Sequence, residues 1–222
     1  MIARLPRWVW PATWVLAFMA GIINVVGFLG FEHQGITHLT GTTSMLGAAI
    51  ADANMSGVLH FALLIVAFVL GCAISGFVIQ DSKFQLGRRY GVALLFTSSL
   101  LFLSVPLLSR GSAWGMYSAA CAAGIQNAMV SAFSGAVVRT THVSGMLTDL
   151  GISLGHVLRR LPLDTPRLRL SLTVITGFLC GGIAGALLFR AVRYEALLVP
   201  ASLSALAAVS YVVFRLRHPR QH

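Results

Sequence analysis

One pattern occurs twice in this chain. Residues 21–47 read GIINVVGFLGFEHQGITHLTGTTSMLG and residues 124–151 read GIQNAMVSAFSGAVVRTTHVSGMLTDLG. Gly21, Ile22 and Asn24 return as Gly124, Ile125 and Asn127. Thr37-His38 and Thr40-Gly41 return as Thr141-His142 and Ser144-Gly145, and Leu46-Gly47 returns as Leu150-Gly151. In a membrane chain, two like halves pack about a pseudo-two-fold axis, and a site commonly lies where they meet.

The chain reads as a membrane protein. Its 222 residues are 57% hydrophobic and only 10% charged, with a mean hydropathy of +0.83. Six apolar runs lie near 8–30, 57–80, 90–109, 113–133, 168–190 and 194–214. Each is long enough, as helix, to cross a hydrocarbon core of ~30 Å. A transmembrane barrel is excluded, because the apolar/polar alternation of its strands is missing. The net charge of +10 would suggest nucleic acid in a soluble protein. Here the basic residues fall between apolar runs, where they orient helices and meet anionic lipid, so the expected partner is the bilayer and not nucleic acid. Arg4 and Arg7 before an apolar run resemble a signal peptide, but the run is too long for an h-region and reads as a retained first helix. Cys72, Cys121 and Cys180 are odd in number and lack CxxC spacing, so they read as packing residues.

Two shorter segments, 41–53 and 145–158, interrupt the series and are too short to span. The distribution of basic residues decides between eight crossings and six. With eight, Lys83, Arg88, Arg89, Arg139, Arg190 and Arg193 fall outside. With six, only Arg110, Arg190 and Arg193 do, which is the strong positive-inside bias expected of cytoplasmic loops. The sequence therefore predicts an all-α integral membrane protein with six transmembrane helices, two short re-entrant half-helices, and both termini cytoplasmic. Three spans per half give the halves opposite orientation. Residues 1–109 and 113–216 thus form two inverted three-helix repeats within one membrane domain, an arrangement used by many transporters.

Small residues four apart mark packing faces that let helix backbones approach closely. Ala17/Gly21 matches Ala120/Gly124, and Ala67/Gly71/Ser75 matches Gly177/Gly181/Gly185. Internal helix packing is the expected use of Gly71, Gly177, Gly181 and Gly185; a homodimer through the ridge extended by Gly182 is the alternative.

The repeated Thr/Ser-Gly turns precede the short helices. Thr40 and Ser144 are expected N-caps, since their hydroxyls suit the free N–H groups of a helix start. Two helix starts converging from opposite sides would favour an anion or a polar, acceptor-rich solute. Thr37, Thr40, Gly41, Thr141, Ser144 and Gly145 are the candidate solute contacts, with Asn24 and Asn127 either contacting solute or bonding the freed backbone nearby. Gln126 shares that ambiguity. Asp149 and His142 are the candidate titrating groups, with His156 further along the same helix face. Glu32, His33 and His38 read as hydrated loop residues. No nucleophile elbow, P-loop, HExxH or GxGxxG occurs. Nothing in the sequence calls for a metal or cofactor, and an enzyme is not expected.

Beyond these local patterns, VVRTTHVSGMLTDLG (137–151), GIQN (124–127), and GIINVVGFLGF followed by THLTG (37–41) resemble the YoaK family of bacterial membrane proteins, a domain of unknown function. The likeness covers nearly the whole chain. It implies about six helices and a bacterial inner membrane, but no substrate. The chain departs from the common pattern at Asn24-Val25, where many relatives resemble G-x-x-D-A, and at Thr42, where many carry Asn. The missing acid argues against cation coupling in the first repeat. The expected function is a transporter or permeation pathway for a small polar or anionic solute. A membrane scaffold or regulatory subunit is the second reading, and an intramembrane enzyme using His142 and Asp149 the third.

Overall fold

A computed structural model describes residues 6–30, 35–79, 88–134 and 138–217. Among these residues the chain is helical throughout, with eight α-helices and no strand: α1 (Val9–Gly30), α2 (Leu39–Ala51), α3 (Met55–Val78), α4 (Arg88–Ser109), α5 (Trp114–Ser134), α6 (Val143–Leu158), α7 (Thr165–Val192) and α8 (Leu198–Arg217). A 3₁₀ turn, Arg193–Leu197, joins α7 to α8. Glu32 and His33 lie outside the described residues.

The two halves share local chemistry at equivalent joints. Asn54 caps α3 by accepting from the Gly57 amide at 3.1 Å, and Asp164 caps α7 by accepting from the Arg167 amide at 3.1 Å. Upstream, α2 and α6 end alike. Ala53 (φ 52°) and Arg160 (φ 54°) adopt left-handed conformations just past the helix. The next amides, of Asn54 and Leu161, reach back to the carbonyls of Ala49 and His156, both at 2.9 Å, which is the Schellman closure.

Small residues decide which helices touch. On α7, a Cβ at Gly177 would meet the Trp14 carbonyl at 2.7 Å, and one at Gly185 would meet Ile22 Cα at 2.9 Å. At Gly181 it would fall on the Phe18 carbonyl. The reciprocal position on α1, Gly21, abuts the Phe178 carbonyl. In the other crossing, Gly71 of α3 abuts the Cys121 carbonyl and Gly124 of α5 abuts the Phe68 carbonyl. Thus α1 lies in a groove on α7, and α5 in a groove on α3. The ridge Gly177/Gly181/Gly185 is covered by α1, whereas a Cβ at Gly182 would meet open space. Cys72 bonds the Gly124 carbonyl at 3.4 Å in the same crossing.

Helix directions follow from these contacts. Trp10, Trp14, Phe18 and Ile22 of α1 meet Arg169, Gly177, Gly181 and Gly185 of α7 in rising order, so the pair is parallel. By contrast, Trp8 meets Phe133 with ring centroids 5.3 Å apart, and the Gln126 amide donates to the Leu16 carbonyl at 3.0 Å, so α1 and α5 are antiparallel. Ser98 donates to the Ala201 carbonyl at 2.9 Å while Gly91 sits against Tyr211, so α4 and α8 are antiparallel too.

Four helical stretches are long and apolar enough to cross a membrane: Val9–Gly30, Met55–Val78, Arg89–Ser109 and Thr165–Val213. The last contains both α7 and α8. The helices cover all six expected runs, but by this measure α5 is not a span. It has 21 residues yet carries Ser118, Gln126, Asn127, Ser131 and Ser134. What holds is an all-α membrane protein. The short helices begin two residues earlier than expected, at Leu39 and Val143, and as helices of 13 and 16 residues they reach about 20 and 24 Å.

Candidate functional site

The matched turns before α2 and α6 are organised by the two asparagines. Asn24, late in α1, accepts at Oδ1 from the Thr37 amide at 3.1 Å and from the Thr37 hydroxyl at 2.9 Å. Asn127 of α5 accepts at Oδ1 from the Thr141 hydroxyl at 3.2 Å. Each asparagine therefore ties down the turn that enters a short helix: Asn24 holds the Thr37 backbone and hydroxyl, and Asn127 the Thr141 hydroxyl.

The caps differ from expectation. His38 and His142 occupy the N-cap positions, without a side-chain cap bond, and Thr40 and Ser144 lie inside the first turn. The reason is the asparagine: it fixes the chain at Thr37 and Thr141, so the helix starts at once and needs no hydroxyl cap. The first intrahelical bonds run from Thr42 to the His38 carbonyl and from Met146 to the His142 carbonyl, both at 3.2 Å. The amides of residues 39–41 and 143–145 precede them and are the open N–H groups of a helix start. Gly41 and Gly145 make room for the histidines. A Cβ at either would come within 2.7 Å of the ring.

These two turns face one cavity of about 280 Å³. Its wall contains matched pairs from the two halves: Asn24 with Asn127, Thr37 with Thr141, His38 with His142, and Thr40 with Ser144. Phe68 of α3 and Phe178 of α7 complete it, each thirteen residues past the first residue of its helix. Among the described residues, Arg139 is the one permanently charged side chain in the lining, and no carboxylate joins it. Two helix starts, an arginine and an array of amide and hydroxyl groups make a surface suited to an anion.

Of the sequence candidates, Thr37, Thr40, Asn24, Asn127, Thr141, Ser144 and His142 meet at this cavity. Gly41 and Gly145 do not line it; they seat the imidazoles. Asp149 is elsewhere. Its carboxylate accepts from Arg167 at 2.8 Å on α7, so His142 and Asp149 are not brought together. Gln126 is buried and bonded to α1. His38, Arg139, Phe68 and Phe178 were not singled out from the sequence. The histidine repeat was visible in Thr37-His38 and Thr141-His142. The phenylalanines follow Ala67 and Gly177, the first residues of the matched small-residue motifs.

A family profile described as "Protein of unknown function (DUF1275)" matches residues 12–210. Neither a curated protein nor a solved structure was found to match the chain.

Proposed function

The chain belongs to the DUF1275 family, and from that premise we propose that it is a transporter or permeation pathway for a small anion, held between the starts of α2 and α6. The observation that carries the reading is the single cavity lined by equivalent residues of both halves, with Arg139 as its fixed charge. Short helices whose N-termini point into a membrane-depth cavity favour negative charge, and non-helical backbone is tolerated at that depth where it lines such a cavity.

The architecture we propose is six spans in two inverted repeats, with both termini cytoplasmic, in a bacterial inner membrane. The helix directions support it. If every helix from α1 to α5 crossed, α5 would run parallel to α1, and likewise α8 to α4; both pairs are antiparallel. One element in each half must then turn back, and α2 and α6 are the short ones. The skew of basic residues supports the same topology. No comparable observation favours the scaffold reading, whose glycine ridge is covered by α1.

The test is uptake of chloride, acetate, sulfate and phosphate into proteoliposomes, compared with protein-free vesicles. At least one anion should enter through the native protein. Arg139→Gln, and Thr40→Val with Ser144→Val, should lower that uptake by about tenfold or more, a loss of one charge-assisted contact being of order 1.4 kcal/mol or above. Wild-type uptake in these variants would refute the site. In a cysteine-free background, Met55→Cys and Ser112→Cys should label from outside and Leu161→Cys only from inside; labelling of Met55→Cys from inside would refute the topology.

A further inference from the structure

A second cavity lies apart from the one between the two turns. It measures about 540 Å³ and lies between α1 and α8, floored by α4 and α5. Ala12, Leu16 and Met19 line it on α1, and Leu203, Ala207 and Tyr211 on α8. Its wall is almost wholly apolar, and it shares no lining residue with the anion cavity. At the equivalent joint of the other half, between α4 and α5, the space is filled: Leu101, Leu108 and Met116 are fully buried there. That correspondence rests on the two-repeat reading; the cavity and its rim do not. Helical membrane proteins pack to the density of crystals, and a void of this size forfeits the contacts its lining would otherwise make.

Three features identify what fills it. The first is length. From Trp8 to Met19 the crevice follows α1 for eleven residues, about 16 Å, which is half of a ~30 Å hydrocarbon core and hence one leaflet. The second is the aromatic end. Trp8 and Tyr90 both pack on the Phe133 ring, with centroids at 5.3 and 6.1 Å, and Tyr211 lies at the same end against Gly91. Trp and Tyr prefer the headgroup level. The third is charge. Arg7 and Arg89, next in sequence to Trp8 and Tyr90, are exposed.

We propose that this crevice is a binding site for an anionic phospholipid, with one acyl chain between α1 and α8 and the phosphate between Arg7 and Arg89. A bound chain would brace α8 against α1 along the stretch where, among the described residues, the two helices leave a gap.

The test uses a variant that keeps Trp8 as the one tryptophan (Trp10, Trp14 and Trp114 to Phe), reconstituted with lipids brominated along the acyl chain. Brominated phosphatidylglycerol should quench Trp8 at least twofold more than brominated phosphatidylcholine at equal mole fraction. Unbrominated phosphatidylglycerol should reverse the excess. Ala207→Phe, which fills the crevice, and Arg7→Gln with Arg89→Gln should each abolish it. Equal quenching by the two lipids, or an excess that survives Ala207→Phe, would overturn the proposal. Native mass spectrometry of the unmutated protein supplies a second readout: phosphatidylglycerol should be retained over phosphatidylcholine after delipidation, and equal retention would count against the site. None of these readouts depends on anion uptake.

Discussion

Two neighbouring glycines on α7 should respond in opposite directions to the same methyl group. At Gly182 nothing lies within 4 Å of an added Cβ. Gly182→Ala therefore gains helix propensity alone, about 1 kcal/mol. At Gly181 the new Cβ would land on Phe18, 2.7 Å from its carbonyl carbon and 2.8 Å from its Cα. Both are backbone atoms of a packed helix and cannot swing aside. To restore ordinary contact, α1 and α7 must part by about 1 Å, loosening the joint that runs from Trp14 to Ile22. Overpacking of this kind costs about 1–3 kcal/mol, and with backbone on both sides the upper half of that range applies. After the propensity gain, Gly181→Ala should be destabilised by about 1–2 kcal/mol. The assay is unfolding of the purified protein in mixed micelles by SDS titration, followed by tryptophan fluorescence. The wild type should fall between the two variants. Equal stability of Gly181→Ala and Gly182→Ala would refute the close crossing of α1 and α7, and with it the interlocked arrangement of the halves.

Other expectations are more local. Asp149→Asn removes one partner of an ion pair whose arginine is half exposed, 52% against 18% for the aspartate; it should change stability by under about 1 kcal/mol in the same titration and leave anion uptake at the wild-type level. A loss of uptake would return Asp149 to the pathway. Arg160 and Ala53 hold left-handed conformations that cost a residue with a Cβ about 1 kcal/mol. Arg160→Gly and Ala53→Gly should each raise the SDS midpoint, and a lowered midpoint would contradict the Schellman geometry at both joints.

Much of this organisation is legible in the sequence because the repeat preserves chemistry at a few demanding positions. Gly21 and Gly124 survive as a pair because each abuts a backbone carbonyl, and Asn24 and Asn127 because each anchors a turn. The cap positions were less legible. Preference for a hydroxyl at a helix start assumes that the cap residue must bond the first amides, whereas Thr37 and Thr141 spend their hydroxyls on the asparagines. His38 read, with Glu32 and His33, as a hydrated residue of the outer loop; it is exposed, but its place at the start of α2 is visible only by comparison with His142. Phe68 and Phe178 were hidden by composition, since one phenylalanine among apolar helix residues gives no sign that its ring walls a polar cavity. Asp149 drew attention as a rare acid, but its partner, Arg167, sits eighteen residues later at the start of another helix, beyond the reach of any local pattern.

The crossing of α1 with α7 also bears on biogenesis. The groove that receives α1 is on α7, which is synthesised long after it. Between the end of α1 and the end of α7 lie ~160 residues, roughly 10–30 s of translation. Through that interval α1 must wait in the lipid with Gly21 uncovered, while α3 waits for α5 for a shorter time. Until α7 arrives, the face of α1 that carries Gly21 stays without its packing partner. A ribosome stalled before Thr165 should leave a nascent chain that is inserted but readily degraded.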